Sequence, residues 1–288
     1  MLFSVCYAYN VRNLLSKVSK KVKRPENLPD YTDPPLSEVV LGVQFQPPVG
    51  YQQIYAHEVW HLYSDDFPTV QEMPPLQPSF ETFGISSFTV MPPFNFVTNA
   101  MHNRFWFVNQ NADELIQFQN DRLLHNWRKV TSVNRPYPRF EVMCKKLKEE
   151  LNLLQNYFNT LTSQSLNINQ CEISYINDLY IDENSSFNSW FEFADLSSEP
   201  IEDFNFTFRE LVKNEKKEPV GRLTVEVLTA INAESKRFVR FTLTVRGVPE
   251  ANTIDSAEKF LTDGRSIIVN KFTELTSKNA HKIWGRLK

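Results

Sequence analysis

The sequence predicts an α+β fold of two similar halves, each a largely antiparallel sheet with packed helices. In each half a strand pattern comes first, further strand patterns follow, and one long helical pattern closes the half. In the second half two alternating segments are joined by the short polar turn Asn232 to Lys236, which is typical of antiparallel pairing. We predict halves at 33–163 and 164–288, after a basic leader or linker at 1–32.

The leader is basic and ends in prolines. Six lysines and arginines lie between residues 10 and 30, together with Pro25 and Pro29. Such a charge run is typical of a short helix followed by a solvated linker, and a basic arm for nucleic acid is the alternative. No aromatic residues are interleaved with the six cations, so the pattern is not a specific nucleic-acid signal.

The first half begins with Leu36 to Phe45, an alternating segment rich in β-branched residues that predicts a strand. Tyr51 to Phe67 has helical periodicity and stops before Pro68. Three prolines between Gln71 and Pro78 exclude regular structure there, because proline removes a donor and constrains its neighbour. An apolar stripe predicts a helix from Arg139 to about Leu161. Further strands are predicted at 80–90, 104–110, 113–120 and 122–129.

The second half begins with a predicted strand at 169–180. The acidic, aromatic segment from Asp182 to Glu202 follows, and it is either a partner-docking surface or a plug over the core. Asp255 is the predicted N-cap of a closing helix that runs to about Thr276. Antiparallel strands are predicted between these segments, at 204–212, 220–231 and 237–247.

Composition excludes several classes of protein. The 288-residue chain has a net charge of −3 and a pI near 6.0, which gives no general attraction to nucleic acid or anionic membrane. Its 7 glycines form no phosphate-binding motif. Cys6, Cys144 and Cys171 are widely spaced, which indicates a reducing compartment rather than a disulfide framework. No apolar run approaches the roughly 20 residues that cross a bilayer, so we expect a cytoplasmic protein.

The motif His57-Glu58-x-x-His61 points most directly to chemistry. On a helix, two histidines four residues apart share a face and bind zinc, and the glutamate activates the bound water. Glu81 follows at a spacing that some zinc peptidases use for the third ligand. That ligand should lie on a second helix, however, and the intervening prolines oppose one. We favour histidines on a helix surface, and a zinc-dependent metallopeptidase is the alternative.

Arg122, Trp127, Arg128 and Lys129 form a second candidate site, a basic strand whose tryptophan would stack on a base if it were exposed. Alternation would place Trp127 and Lys129 on one face of the strand, and Asn126 and Arg128 on the other. The same alternation suits a strand with one buried face and one solvated face. Ligand contact and an ordinary structural role therefore both remain open for this strand.

Trp284 and Arg286 form a third candidate site, close to residue 288. Chain ends usually fray unless they are packed against the body of the protein. Trp284 therefore either tethers the tail by packing or contacts a partner together with Arg286.

Six segments occur in a defined order across residues 33–287. They are PPLSE with GVQF (34–38, 42–45), FP with PPL (67–68, 74–76), LIQFQNDR with NWRK (115–122, 126–129), YPRFE (137–141), CEISYIN (171–177) and HKIWGR (281–286). Together they resemble an uncharacterised, sporadically distributed family of bacterial proteins. The resemblance implies a cytoplasmic protein without assigned activity, whose distribution is similar to that of defence-associated or toxin–antitoxin genes. The family pattern has a tryptophan that Trp60 matches but no His-Glu-x-x-His, so the zinc motif looks peculiar to this chain.

The sequence therefore favours a non-catalytic binding protein with a protein partner, no cofactor and no membrane attachment. This interpretation follows from the lack of a catalytic constellation in the sequence and from aromatic residues expected at the surface. A regulatory, immunity or defence-type locus follows only from the resemblance. The alternatives are a zinc metallopeptidase, with His57 and His61 as ligands and Glu58 as base, and a nucleic-acid-binding protein that uses the leader and the 122–129 strand.

Overall fold

The structure is a computed structural model that describes residues 25–84, 102–133, 135–180, 187–193 and 203–288. Before residue 164 the elements are β1 (Leu36–Phe45), α1 (Ala56–His61), β2 (Thr69–Met73), β3 (Arg104–Val108), β4 (Glu114–Gln119), β5 (Arg122–Arg128) and α2 (Phe140–Leu161). After it they are β6 (Ile168–Leu179), β7 (Asn205–Lys213), β8 (Pro219–Ile231), β9 (Arg237–Gly247), α3 (Ile254–Leu275) and α4 (Lys278–Ile283).

The nine strands of the described residues form one antiparallel sheet in the order β2-β3-β4-β5-β1-β6-β9-β8-β7. At its centre, Leu41 of β1 lies between His125 of β5 and Ile173 of β6. The regions predicted as separate halves therefore share one sheet, and they meet where β1 pairs with β6.

Both long helices pack on the same face of this sheet. α2 lies against β1 and β5, α3 lies against β6 and β9, and the two helices contact each other. Strand side chains on this face, such as Leu41, Ile173 and Leu243, are fully buried. Each buried side chain of this size stabilises the fold by about 1.5–3 kcal/mol relative to an exposed one. Within the described ranges no helix packs against the opposite face, which we call the helix-free face.

The α+β class is confirmed, and most predicted elements are present with bounds within a few residues. The periodicities that identified them depend on one buried face for each strand or helix, and this is what the structure shows. The confirmed elements are the strands predicted at 36–45, 104–110, 113–120, 122–129, 169–180, 204–212, 220–231 and 237–247 and the helix predicted at 139–161.

Three local predictions are wrong. The helix predicted over Tyr51–Phe67 is limited to α1 and a preceding 3-10 turn. Regular structure does occur in the proline-rich stretch, because β2 continues to Met73 before the first proline ends it. Thr253, not Asp255, caps α3, since its side chain accepts a hydrogen bond from the Ser256 N–H at 3.2 Å.

Several other predictions concern residues that are only partly described. Residues 80–84 of the strand predicted at 80–90 are not a strand, and the remainder lies outside the described residues. Residues 1–24 of the leader lie outside them as well, as does most of the acidic, aromatic segment. Among the helices that are described, none is long and apolar enough to cross a membrane.

Candidate functional site

The zinc motif lies on α1, which is only six residues long. His57 and His61 are exposed, and their Nε2 atoms are 3.0 Å apart. Glu58 does not join them, because its carboxylate accepts a hydrogen bond from the Tyr157 hydroxyl of α2 at 2.7 Å. The expected third ligand, Glu81, pairs instead with an arginine of β8. The described part of the chain contains no group of three or more His, Cys, Asp or Glu that could hold a metal ion.

A histidine–carboxylate group that no motif predicted lies in the core. His125 of β5 is fully buried, with Nδ1 2.8 Å from Glu150 Oε1 of α2. Its Nε2 lies 3.4 Å from Glu114 Oε2 of β4, which is an ion-pair distance rather than a hydrogen bond. Lys146 of α2 also pairs with Glu114. These four charges are paired among themselves, and they fasten α2 to β4 and β5.

The neighbouring charges set the protonation of this buried group. Burial by itself would lower the pKa of His125, but the carboxylates of Glu150 and Glu114 raise it to about 9. Burial would likewise raise the pKa of Glu114, but the imidazolium of His125 and the hydrogen-bonded ammonium of Lys146 lower it to about 2. At neutral pH the imidazole is therefore a cation between two carboxylates.

The predicted basic strand is β5, and its residues separate onto the two faces of the sheet. Trp127 points toward the helices, packs against Tyr137 with ring centroids 5.1 Å apart, and is only 3% exposed. Trp127 is therefore not exposed for stacking on a base, and of the two roles left open by the sequence this ring has the structural one. Arg122 and Arg128 lie on the helix-free face, where Arg122 pairs with Asp121 at 2.9 Å and Arg128 Nε donates to a main-chain carbonyl. Lys129, just past the strand, is exposed.

Trp284 and Arg286 lie against the segment that enters β1. Trp284 is buried against Phe272 of α3 and Tyr31. The main chain of Arg286 bridges to Tyr31, and its guanidinium lies 3.2 Å from His281 Nδ1. The sequence left two roles open, tethering of the tail and contact with a partner, and this packing is the tethering arrangement.

The described part of the acidic, aromatic segment is residues 187–193. Phe191 is buried against Phe241, with ring centroids 5.3 Å apart, and Trp190 packs on Trp284. Phe191 is part of the core and Trp190 packs against it, which is the arrangement expected of a plug over the core.

A cavity of about 110 Å³ lies between the starts of α2 and β1 and the middle of α3. Tyr137 and Tyr175 line it, and their hydroxyl groups are 3.2 Å apart. Its charged groups already have partners: Arg265 pairs with Glu141, Arg139 pairs with an aspartate of the incoming segment, and Lys288 donates to the Pro25 carbonyl at 2.7 Å. They stabilise the junction between the helices, and none of them is left free for a ligand.

The helix-free face carries an unusual number of arginines. Residues directly opposite each other in an antiparallel sheet point to the same side, so the pairing register identifies the members of this face. Its acidic strand residues are four, namely Glu38, Glu172, Asp178 and Glu226. Among the strand residues that the structure describes, its arginines are seven, namely Arg104, Arg122, Arg128, Arg209, Arg222, Arg240 and Arg246.

A relay of hydrogen bonds fixes polar side chains across four neighbouring strands of this face. Gln117 of β4 accepts from Arg104 at 2.6 Å and from the Trp106 indole at 3.1 Å. The Gln117 amide donates to Asn126 of β5 at 2.9 Å, and Asn126 donates to Glu38 of β1 at 2.6 Å. Gln117 and Asn126 are buried, so these side chains have little freedom to reorient.

Residues 74–84, which follow β2, cross the helix-free face without forming a helix or strand. Gln119 of β4 pairs both ways with Leu76, donating to its carbonyl at 3.0 Å and accepting from its N–H at 2.9 Å. Gln44 of β1 pairs in the same way with Ser79, at 2.6 and 3.1 Å. Arg122 adds a bond to the Leu76 carbonyl at 3.3 Å. The sheet therefore holds this segment by side chains rather than by strand pairing.

Of the residues that hold this segment, sequence reasoning singled out Arg122 but missed Gln44, Gln119, Arg222 and Arg246, and it also missed the buried His125 group. The available signal was the polar residue at every second strand position, such as Gln44 between apolar Val43 and Phe45. That alternation identifies a face but not its occupant, because the occupant comes from a distant part of the chain.

Comparisons with protein-family models, curated proteins and solved structures find no match to this chain.

Proposed function

We propose that this chain is a non-catalytic binding protein and that a protein partner binds the helix-free face of its sheet. The observation that carries the proposal is the set of seven arginines on the described strands of that face, in a chain of net charge −3. Six carboxylates accompany them when Asp121 and Glu81 are counted with the four acidic strand residues. A face that is merely solvated needs no such concentration of arginines. A positive patch attracts and orients an acidic partner.

Preorganisation of the face supports the same proposal. The relay from Trp106 through Gln117 and Asn126 to Glu38 holds polar groups in one arrangement before a partner arrives. Binding to fixed groups avoids part of the entropy cost of ordering side chains, about 0.5–1.5 kcal/mol for each.

A polypeptide fits this face better than nucleic acid does. Gln44 and Gln119 each bond the main-chain N–H and C=O of one residue, so the face already binds a polypeptide main chain in this structure. Four of the seven arginines already pair with carboxylates, which lowers the density of free positive charge that binding to a row of phosphates needs. These pairs are Arg122 with Asp121, Arg222 with Glu81, Arg240 with Asp178 and Arg246 with Glu172.

The organisation of the chain and its setting belong to the same proposal. Two similar halves would explain a shared pattern. In the first half β5 pairs with β1 and is followed by the 22-residue helix α2, and in the second half β9 pairs with β6 and is followed by the 22-residue helix α3. We place the protein in the cytoplasm, without a cofactor, in a regulatory, immunity or defence-type locus. The locus type rests only on the family resemblance of the six sequence segments.

The test is partner capture with charge-reversed variants. Arg209→Glu/Arg240→Glu changes two exposed arginines of the helix-free face, and Lys145→Glu reverses an exposed charge on α2 as the matched control. From a lysate of the organism that encodes the chain, we expect wild type and the control to retain the same protein and the double variant to lose it. Equal capture by all three would contradict the proposal. Retention of DNA or RNA instead, falling steeply with salt, would favour the nucleic-acid alternative.

A further inference from the structure

Residues 74–84 occupy the helix-free face through contacts that another polypeptide could make. Gln119 and Gln44 each bond both the N–H and the C=O of a single residue. Those groups are the same in every amino acid except proline, so the two glutamines recognise an extended main chain rather than a particular sequence.

Two arginines add selectivity for side chains. Arg246 of β9 donates to the Ser79 hydroxyl at 2.9 Å, and Glu172 of β6 holds its guanidinium in place. Arg222 of β8 pairs with the Glu81 carboxylate and donates to the Thr82 carbonyl at 2.9 Å. A hydroxyl followed two residues later by a carboxylate is therefore what this end of the face selects, since fixed arginines bind carboxylates strongly.

The occupant is lightly attached compared with the strands beneath it. Phe80 at its middle is 55% exposed, and the neighbouring Gln77 and Pro78 are exposed as well. A typical hydrogen bond contributes a net 0.5–1.5 kcal/mol or so, and bonds to charged groups about 1.5–3. A competing segment that makes the same bonds would recover that free energy.

We infer that Gln44, Gln119, Arg122, Arg222 and Arg246 form a peptide-binding clamp for an extended, acidic partner segment, and that residues 74–84 are its intramolecular occupant. The pattern that fits is a hydroxyl residue followed two positions later by an acidic residue, as in Ser79 and Glu81. A partner segment of this chemistry binds by displacing residues 74–84. The inference rests on the proposed protein-binding role of this face and names the class of partner.

The experiment uses the full chain with residues 75–83 replaced by glycine and serine, and a labelled synthetic peptide of residues 74–84. Fluorescence anisotropy should show binding to the replaced chain at least about tenfold tighter than to wild type, whose own segment competes. Arg222→Ala in the replaced chain, or Glu81→Gln in the peptide, should each weaken binding about tenfold. A folded replaced chain that does not bind the peptide, or binds it equally well with either change, would overturn the inference.

A second variant covers the case in which the replaced chain does not fold. Ser79→Ala/Glu81→Gln keeps the length of the segment but removes the side-chain groups that contact Arg246 and Arg222. This variant should bind the wild-type peptide more tightly than the unaltered chain does, and equal affinity would overturn the inference. If the clamp fails these tests while partner capture still depends on Arg209 and Arg240, the proposed function stands and only the inference falls.

Discussion

The two faces of the sheet hold polar side chains in different ways. On the helix-covered face, His125 is bonded to Glu150 and lies beside Glu114, all on strands or on α2. On the helix-free face, Gln44 and Gln119 are bonded to residues 74–84, which form neither helix nor strand. All members of the first group lie on strands or helices of the core. The second group has its hydrogen-bond partners in an irregular segment outside the core.

Whether a buried polar group points to stability or to function therefore depends on the element that supplies its hydrogen-bond partner. A group satisfied by core elements contributes to stability, and losing one member exposes the others to the full cost of burial. A group satisfied by an irregular surface segment contributes less to stability and remains available to a competitor. The comparison predicts large stability effects on the first face and small ones on the second.

The largest effect is expected at His125. Replacing it by alanine leaves Glu114 and Glu150 facing each other without the cation between them, so His125→Ala should lower the free energy of unfolding by about 3–5 kcal/mol. Urea denaturation measures the loss. A loss below about 1 kcal/mol would mean that the His125 group contributes little to the stability of the core. The polar groups of the two faces would then no longer differ in their contribution to stability.

The pH dependence of the free energy of unfolding should reveal the titration of His125 and Glu114. The pKa of His125 is raised from 6.5 to about 9 on folding, so its contribution is fully present below 6.5 and is lost as pH rises through 9. The pKa of Glu114 is lowered from 4.5 to about 2, so its contribution is present above 4.5 and is lost as pH falls through 2.

Urea denaturation of wild type across this pH range should therefore show a decline in stability between pH 6.5 and 9. In His125→Gln, whose side chain carries no ionisable proton, that decline should be largely absent. An identical alkaline decline in both proteins would assign it to other groups.

A smaller effect is expected at the clamp. Gln44→Ala removes two hydrogen bonds to Ser79 and should cost about 1–2 kcal/mol, because Ser79 regains water when the segment loosens. Limited proteolysis should cut the variant within residues 74–84 several times faster than wild type, while β1 itself stays intact. A loss as large as that of His125→Ala would show that the segment is part of the core.

The smallest effect is expected at the zinc motif. His57 is exposed and bonded only to His61 by its ring nitrogen, so His57→Ala should change the free energy of unfolding by less than about 0.5 kcal/mol. Glu58→Gln keeps an acceptor for Tyr157 and serves as the matched control. Near-stoichiometric zinc in the purified protein that disappears with His57→Ala and survives Glu58→Gln would restore the metallopeptidase alternative.

Much of the fold could be predicted because strand and helix patterns are local. The alternation in 220–231 and 237–247 and the apolar stripe of 139–161 each record one buried face. Local patterns do not record which strands are neighbours. The pairing of β1 with β6 joins residues more than a hundred positions apart, so the single sheet was not predicted.

The candidate site was much less predictable than the fold. The sequence does not decide whether Trp127 is exposed, since one strand pattern does not tell which of its faces receives a helix. The clamp joins Gln44, Gln119 and Arg222 from three strands, and no spacing in the sequence connects them. The conspicuous His57-Glu58-x-x-His61 motif lies elsewhere, on the short helix α1.

Hydrogen exchange of the unmodified full chain tests most directly whether the segment on the helix-free face is separable from the core. Mass spectrometry would follow the hydrogen-bonded amides of Leu76 and Ser79 in the segment beside those of β1 and α2. We expect these two amides to exchange at least about a hundredfold faster than those of β1, a difference of about 2.7 kcal/mol in opening free energy. Equal protection of the segment and β1 would contradict the account, because residues 74–84 would then open only when the whole protein unfolds.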